Sequence, residues 1–201
     1  MCIRDSSSNI QKFTSNGKFI TAVGKQGDKH LVQEFNIPTG IGIHPHTRKV
    51  YVADALNHRI QILNPYLTFS SGFGGDNRLF MSPWDVAFDS TGNMYVVDHG
   101  NHCIQVFTAA GQFMRMFGSY GGDNGELNYP SSISIDSDNV VYVTDSGNHR
   151  VSVFTCEGKF LSSFGSKGSG PGQFNRPRGV MVDKSGMIIV SDEVNNRLQF
   201  F

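Results

Sequence analysis

The 201-residue chain is short of most features that would place it quickly. Neither sign of charge dominates: Lys plus Arg and Asp plus Glu both number 17, so no bulk field draws the chain toward nucleic acid or an anionic membrane. No apolar run is long enough to span a bilayer, and none has the form of a signal peptide. The three cysteines, Cys2, Cys103 and Cys156, form no CxxC pair and do not recur at equivalent places, which argues against a disulfide framework or a structural zinc site. Reduced thiols fit an intracellular setting, and a cytoplasmic location is expected. The chain also lacks a nucleophile elbow, a phosphate-binding glycine loop and an HExxH pair, so no catalytic residue is assigned. The glycine-rich GSGPGQF at 168 to 174 leads into a strand and is a poor phosphate cradle. No segment has a convincing helical period.

What the chain does have is repetition. Phrases beginning at Asp54, Asp98, Asp145 and Asp192 each run through Asn-His-Arg or a near variant into an alternating apolar stretch, at steps of 44, 47 and 47 residues. Pro38, Pro83, Pro130 and Pro177 precede these aspartates by 15 or 16 residues, and Gly74, Gly118 and Gly165 follow the first three by 20. Within each unit the apolar period is two, as in Val86-Ala-Phe88, Met94-Tyr-Val96 and Ile104-Gln-Val106, with Gly, Asn and Asp turns between the runs. Four short antiparallel strands per repeat predict an all-β chain built of β-propeller blades.

With Asn57-His58-Arg59, Asn101-His102-Cys103, Asn148-His149-Arg150 and the degenerate Asn195-Asn196-Arg197, the unit resembles the NHL repeat over residues 9 to 201. The stretch Gly168 to Gly179 is also similar to the NHL domains that end tripartite-motif proteins. On this reading residues 1–8 are a non-native or poorly ordered start and 9–34 a partial blade of two last strands with a connector. Whole blades follow at 35–79, 80–126 and 127–173, and 174–201 supply the first three strands of another. That makes 17 strands or about 4.25 blades, against about six in a typical ring of this kind, so the chain is expected to be a fragment.

The repeated Asp54, Asp98, Asp145 and Asp192 are expected to cap strand ends, since no enzyme needs four equivalent bases. His58, His102 and His149 are expected to serve structure, by satisfying turn carbonyls or packing on the neighbouring blade. The alternative, convergence on a central channel to hold metal, is weakened by Asn196 in the last repeat, and no metal site is assigned. His44 and His46, either side of Pro45, are expected in a surface turn.

Function in a repeat protein is sought where one rim breaks the rule. The positions flanking each repeated proline vary and carry the only Trp, Trp84, together with Tyr129, Arg176 and Arg178. With Arg59, Arg150 and Arg197 these make a candidate ligand-binding rim suited to stacking, cation–π and bidentate contacts, diluted by Asp76, Asp85, Asp123 and Glu126. The resemblance implies a non-catalytic recognition module for a protein partner or single-stranded RNA, at the reading end of a TRIM-like E3 ubiquitin ligase. It implies no cofactor in this segment, with zinc only in domains amino-terminal to it. No membrane and no small-molecule substrate are expected as partners. The competing implication is a secreted NHL propeller, either a scaffold or a metal-dependent amidating-lyase-like enzyme.

Overall fold

The computed structural model describes residues 8–27, 32–75 and 79–201, together with the backbone of 2–4. The chain is all-β and divides into two compact units, Met1–Val86 and Ala87–Phe201.

In the first unit β1 (Cys2–Arg4), β2 (Ile10–Phe13) and β3 (Phe19–Val23) form one antiparallel sheet. A short parallel pair follows, β4 (Lys25–Gln26) with β5 (Glu34–Phe35). A four-stranded meander then runs through β6 (Pro38–Ile43), β7 (Val50–Asp54), β8 (Arg59–Leu63) and β9 (Phe69–Gly74). The next meander consists of β10 (Pro83–Phe88), within which the division between units falls, β11 (Met94–Asp98), β12 (Cys103–Phe107) and β13 (Phe113–Phe117). The second unit continues with β14 (Pro130–Ile135), β15 (Val141–Asp145), β16 (Arg150–Phe154) and β17 (Phe160–Phe164). It closes on the three strands β18 (Pro177–Val182), β19 (Ile188–Asp192) and β20 (Arg197–Phe200).

Each repeated proline opens a first strand and each repeated aspartate closes a second one. Proline suits this place because it has no N–H to contribute to a ladder and can only start a strand. Twenty strands are described instead of the 17 expected. The additions are β1, which pairs Cys2–Arg4 with Ile10–Lys12, and the β4–β5 pair, which is held by backbone bonds that leave no side-chain pattern in the sequence.

The core lies between neighbouring sheets, as expected of an array whose units cannot bury an apolar face alone. In the first unit Ile10, Phe35, Val50, Val52, Leu63 and Leu67 pack together, joining residues of three sheets. In the second unit Val151 and Phe174 pack with Val180 and Val190. Phe174 is fully buried, which contributes about 2 kcal/mol relative to exposure. The repeated glycine makes room for these plugs. Gly118 has φ +84°, and a Cβ there would lie 2.6 Å from Leu127 Cδ1, so a side chain would meet both a strained backbone and a clash.

Candidate functional site: an aromatic and basic rim

The repeat phrases form the same local structure each time. Asp54, Asp98 and Asp145 end their strands, and a single 3-10 turn follows. His58, His102 and His149 then take left-handed backbone with φ of 53°, 56° and 57°, and Asn196 takes the same conformation at 50°. His and Asn are among the residues that tolerate this region best, which explains why they exchange here. The strand pair resumes with Asp and Arg directly opposite, as in Asp54 with Arg59, Asp145 with Arg150 and Asp192 with Arg197.

The four aspartates are fully buried hydrogen-bond hubs. Asp145 accepts from the Asn128 N–H at 2.7 Å, from Asn148 Nδ2 at 2.9 Å and from Arg150 Nε at 2.8 Å. Asp192 accepts from the Asn175 N–H at 2.7 Å, Asn195 Nδ2 at 2.8 Å and Arg197 Nε at 2.9 Å. Asp54 accepts from the Asn36 N–H at 2.7 Å, Asn57 Nδ2 at 3.0 Å and Arg59 Nε at 2.7 Å. Asp98 accepts from Asn101 at 2.8 Å and Gln105 at 2.7 Å.

Three of the rim arginines require a correction. In Arg150 and Arg197 the rest of the guanidinium is spent on backbone carbonyls of the connection leading into the blade, and Arg59 makes one bond of the same kind. Arg150 Nη1 donates to Gly122 O at 3.0 Å, and its Nη2 donates to Asp123 O at 2.9 Å and Glu126 O at 3.0 Å. Arg197 does the same with Ser169, Gly170 and Gln173 O at 2.6, 2.7 and 2.7 Å. Arg59 Nη2 reaches Glu34 O at 2.7 Å. These guanidinium groups clamp connections and are not displayed for a ligand, because a side chain with one face on a buried carboxylate and its fork filled by carbonyls has its donors committed.

The histidines do not donate to turn carbonyls, as one expectation had it. Each Nδ1 accepts from the backbone N–H just before the next repeated proline: Ser82 to His58 at 2.9 Å, Tyr129 to His102 at 3.0 Å and Arg176 to His149 at 3.1 Å. Burial holds the His102 and His149 pKa values below the ordinary 6.5; Lys167 and Arg176 add to the effect at His149. His44 is likewise not a surface residue: its imidazole is buried against Tyr51, with centroids 6.3 Å apart, and accepts from the His46 and Thr47 N–H groups.

The two positions flanking each proline behave differently. After the proline, Thr39 and Ser131 face the neighbouring blade, with Thr39 Oγ1 donating to Pro83 O at 3.3 Å and Ser131 Oγ to Arg178 O at 2.8 Å. Trp84 and Arg178 sit at the same seam position, half-buried; the Arg178 guanidinium is paired with Glu193. Before the proline, Ile37, Ser82, Tyr129 and Arg176 all have positive φ, between 48° and 56°. Tyr129 is 50% exposed and Arg176 is exposed, so this strained backbone displays side chains at the rim.

In the second unit these displayed residues meet a row of rings. Tyr120 packs on His102 at 4.9 Å between centroids, His102 on Tyr129 at 4.4 Å, and Tyr129 on His99 at 5.1 Å. His99 Nδ1 lies 2.9 Å from Pro130 O, and burial, then His102 and Arg178, outweigh that bond and hold its pKa below 6.5. Of this row only Tyr129 was expected as a ligand contact. Tyr120 and His99 were missed, although Tyr120 stands two residues after Gly118, as Lys167 stands two after Gly165 beside His149. Asp76 lies outside the described residues. Among the described residues no cluster of three or more His, Cys, Asp or Glu side chains is arranged to hold a metal, and no helix is long and apolar enough to cross a membrane.

The NHL repeat family matches residues 80–107, 127–154 and 174–201. This chain carries NHL repeats. Their matched segments each run from the buried plug, Phe80, Leu127 or Phe174, to the end of the third strand. Protein brain tumor of Drosophila melanogaster is 31% identical over 91 residues, covering 43% of this chain and 9% of that protein. Among solved structures, an inactive virginiamycin B lyase from Staphylococcus aureus with quinupristin superposes with a TM-score of 0.68 at 16% identity, over 97% of this chain and 63% of that one. An auxiliary nutrient binding protein from Bacteroides ovatus gives 0.70 at 18%, over 94% of this chain and 57% of that one. These two likenesses concern the β-propeller fold alone. The NHL chain spans less than two thirds of each of these three proteins.

Proposed function

We propose that this NHL chain is a non-catalytic recognition module that binds a protein partner on the rim carrying Tyr129, Arg176 and Arg178. The observation that supports it is the ring row Tyr120, His102, Tyr129 and His99, in which the exposed Tyr120 and Tyr129 are held by half-buried histidines, with Arg178 beside it: rings held in place on a rigid scaffold offer contact area at little entropic cost. The ring row also favours a second reading, single-stranded RNA, because every base has a face to stack and a guanidinium offers phosphate contacts. The resemblance of Gly168 to Gly179 to the NHL domains of tripartite-motif proteins motivates a wider proposal, that the module is the substrate- or RNA-reading end of a cytoplasmic TRIM-like E3 ubiquitin ligase whose zinc-binding domains lie outside this chain; the likeness to Protein brain tumor supports its NHL part alone.

Affinity capture with the wild-type chain and a Y129A/R178A variant tests the rim. The variant is expected to lose the partners the wild type enriches, and identical captures would mean that these side chains do not form the binding surface. For RNA, a random single-stranded pool is expected to bind with an affinity that falls as salt rises. Undetectable or salt-independent binding would leave the protein reading alone.

A further inference from the structure

The third-strand position two residues after the repeated Arg, or after Cys103 where it replaces that Arg, is a glutamine in three of the four repeat phrases. Gln61, Gln105 and Gln199 stand opposite Val52, Val96 and Val190 in matching registers. Each carboxamide donates to the Oδ2 of its buried aspartate, at 3.0 Å to Asp54, 2.7 Å to Asp98 and 3.3 Å to Asp192. Gln61 and Gln199 also donate to the carbonyl of the incoming connection, Glu34 O and Gln173 O, both at 2.7 Å.

Ser152 takes this register in the remaining phrase, opposite Val143. It is fully buried and its Oγ has no hydrogen-bond partner. A serine ends one atom past Cβ, where a glutamine carries a further methylene and its carboxamide. The acceptors that the carboxamide would serve are in place: Asp145, fully buried, and Glu126 O, which accepts from Arg150 Nη2 as Glu34 O and Gln173 O accept from their arginines. Burial raises the pKa of Asp145. At Asp192, burial acts in the same direction but is outweighed by the Asn175 N–H, Asn195 and Arg197, and the net shift is downward.

We propose that Ser152 creates an internal binding site for one water molecule, which donates to Asp145 Oδ2 and Glu126 O and accepts from the Ser152 hydroxyl. The space freed by the shorter side chain suits a single water of about 30 Å³, and three polar partners are the usual complement of a buried one. The water braces the connection between Gly118 and Leu127, which carries Tyr120, in the way a carboxamide braces the equivalent connections before Phe35 and Phe174.

The test is a high-resolution crystal structure of the chain, together with water ¹⁷O relaxation dispersion on wild type and S152Q. The expected result is density within hydrogen-bond distance of Asp145 Oδ2, Glu126 O and Ser152 Oγ. It is accompanied by one long-lived water fewer in S152Q, whose urea midpoint is higher because the carboxamide takes over both bonds. Absence of that density, an unchanged number of long-lived waters, or an S152Q chain that unfolds at lower urea or fails to fold would overturn the proposal, since each means the space is not there. S152A, which keeps the other two partners, is expected to retain the water with a shorter residence time; its loss in S152A would leave the hydroxyl as the indispensable partner and contradict the assignment of Asp145 and Glu126 as the main acceptors.

Discussion

The Nδ1 of His102 accepts the backbone N–H of Tyr129 at 3.0 Å, fastening one blade to the first residues of the next. The same bond joins His149 to Arg176, and both require a neutral imidazole whose proton sits on Nε2. Both pKa values are held below 6.5, chiefly by burial. As pH falls the unfolded chain therefore takes up protons first, and stability is lost from about pH 7 downward until the folded-state pKa values are passed. Urea titrations at about pH 7 and about pH 5 check this, and an H102N/H149N variant is expected to show a flatter pH dependence. Asparagine is the right substitute because Asn196 already occupies the equivalent left-handed position.

The buried pairing of Asp145 with Arg150 predicts a large loss on truncation. D145A strands the Arg150 guanidinium, the Asn148 amide and the Asn128 N–H, at a cost of about 3–5 kcal/mol in urea denaturation. R150A is expected to destabilise as well, so any ligand binding it loses follows from unfolding of the 121–127 connection.

The frame of the molecule was readable because each fixed point has a local cause. Proline starts strands, aspartate ends them, and a glycine with positive φ turns the chain beneath a buried plug such as Leu127. The fate of the arginines was not readable, since the carbonyls of Gly122, Asp123 and Glu126 that fill the Arg150 fork carry no side-chain signature. Tyr120, His102 and Tyr129 form a row only because the two ends of one connection, residues 118–129, are folded beside one histidine, and the spacing of 18 and 27 residues along the chain says nothing of that. The left-handed backbone before each proline was also hidden, for residues such as Ile37 rarely adopt it.

Arg176 shows strain and display together. With φ of 55° and an exposed side chain, R176G removes an unfavourable backbone conformation while keeping the N–H that His149 accepts. Thermal unfolding is expected to be unchanged or more stable by up to about 1 kcal/mol, while partner capture weakens. A clear loss of stability would mean that the guanidinium serves the fold.

The two thiols with described surroundings differ in reactivity. Cys103 is buried and its pKa is pushed up to about 12, chiefly by burial and then by Asp98, so the folded chain is expected to protect it from iodoacetamide at neutral pH. Cys156 is half-exposed; its pKa is also raised, mainly by the hydrogen bond to Glu157, yet it is expected to alkylate well before Cys103. Peptide mass mapping over time gives the order directly.

Whether ligand recognition takes place on the Tyr129 rim is read out by a photocrosslinking amino acid placed at 129. The comparison position is Ser185, in the turn at the opposite end of the β18–β19 pair from Asp192. A discrete adduct, protein or RNA, is expected from position 129 and none from 185. Equal labelling at both positions, or none at 129 while the chain still captures its partner, would contradict recognition on this rim.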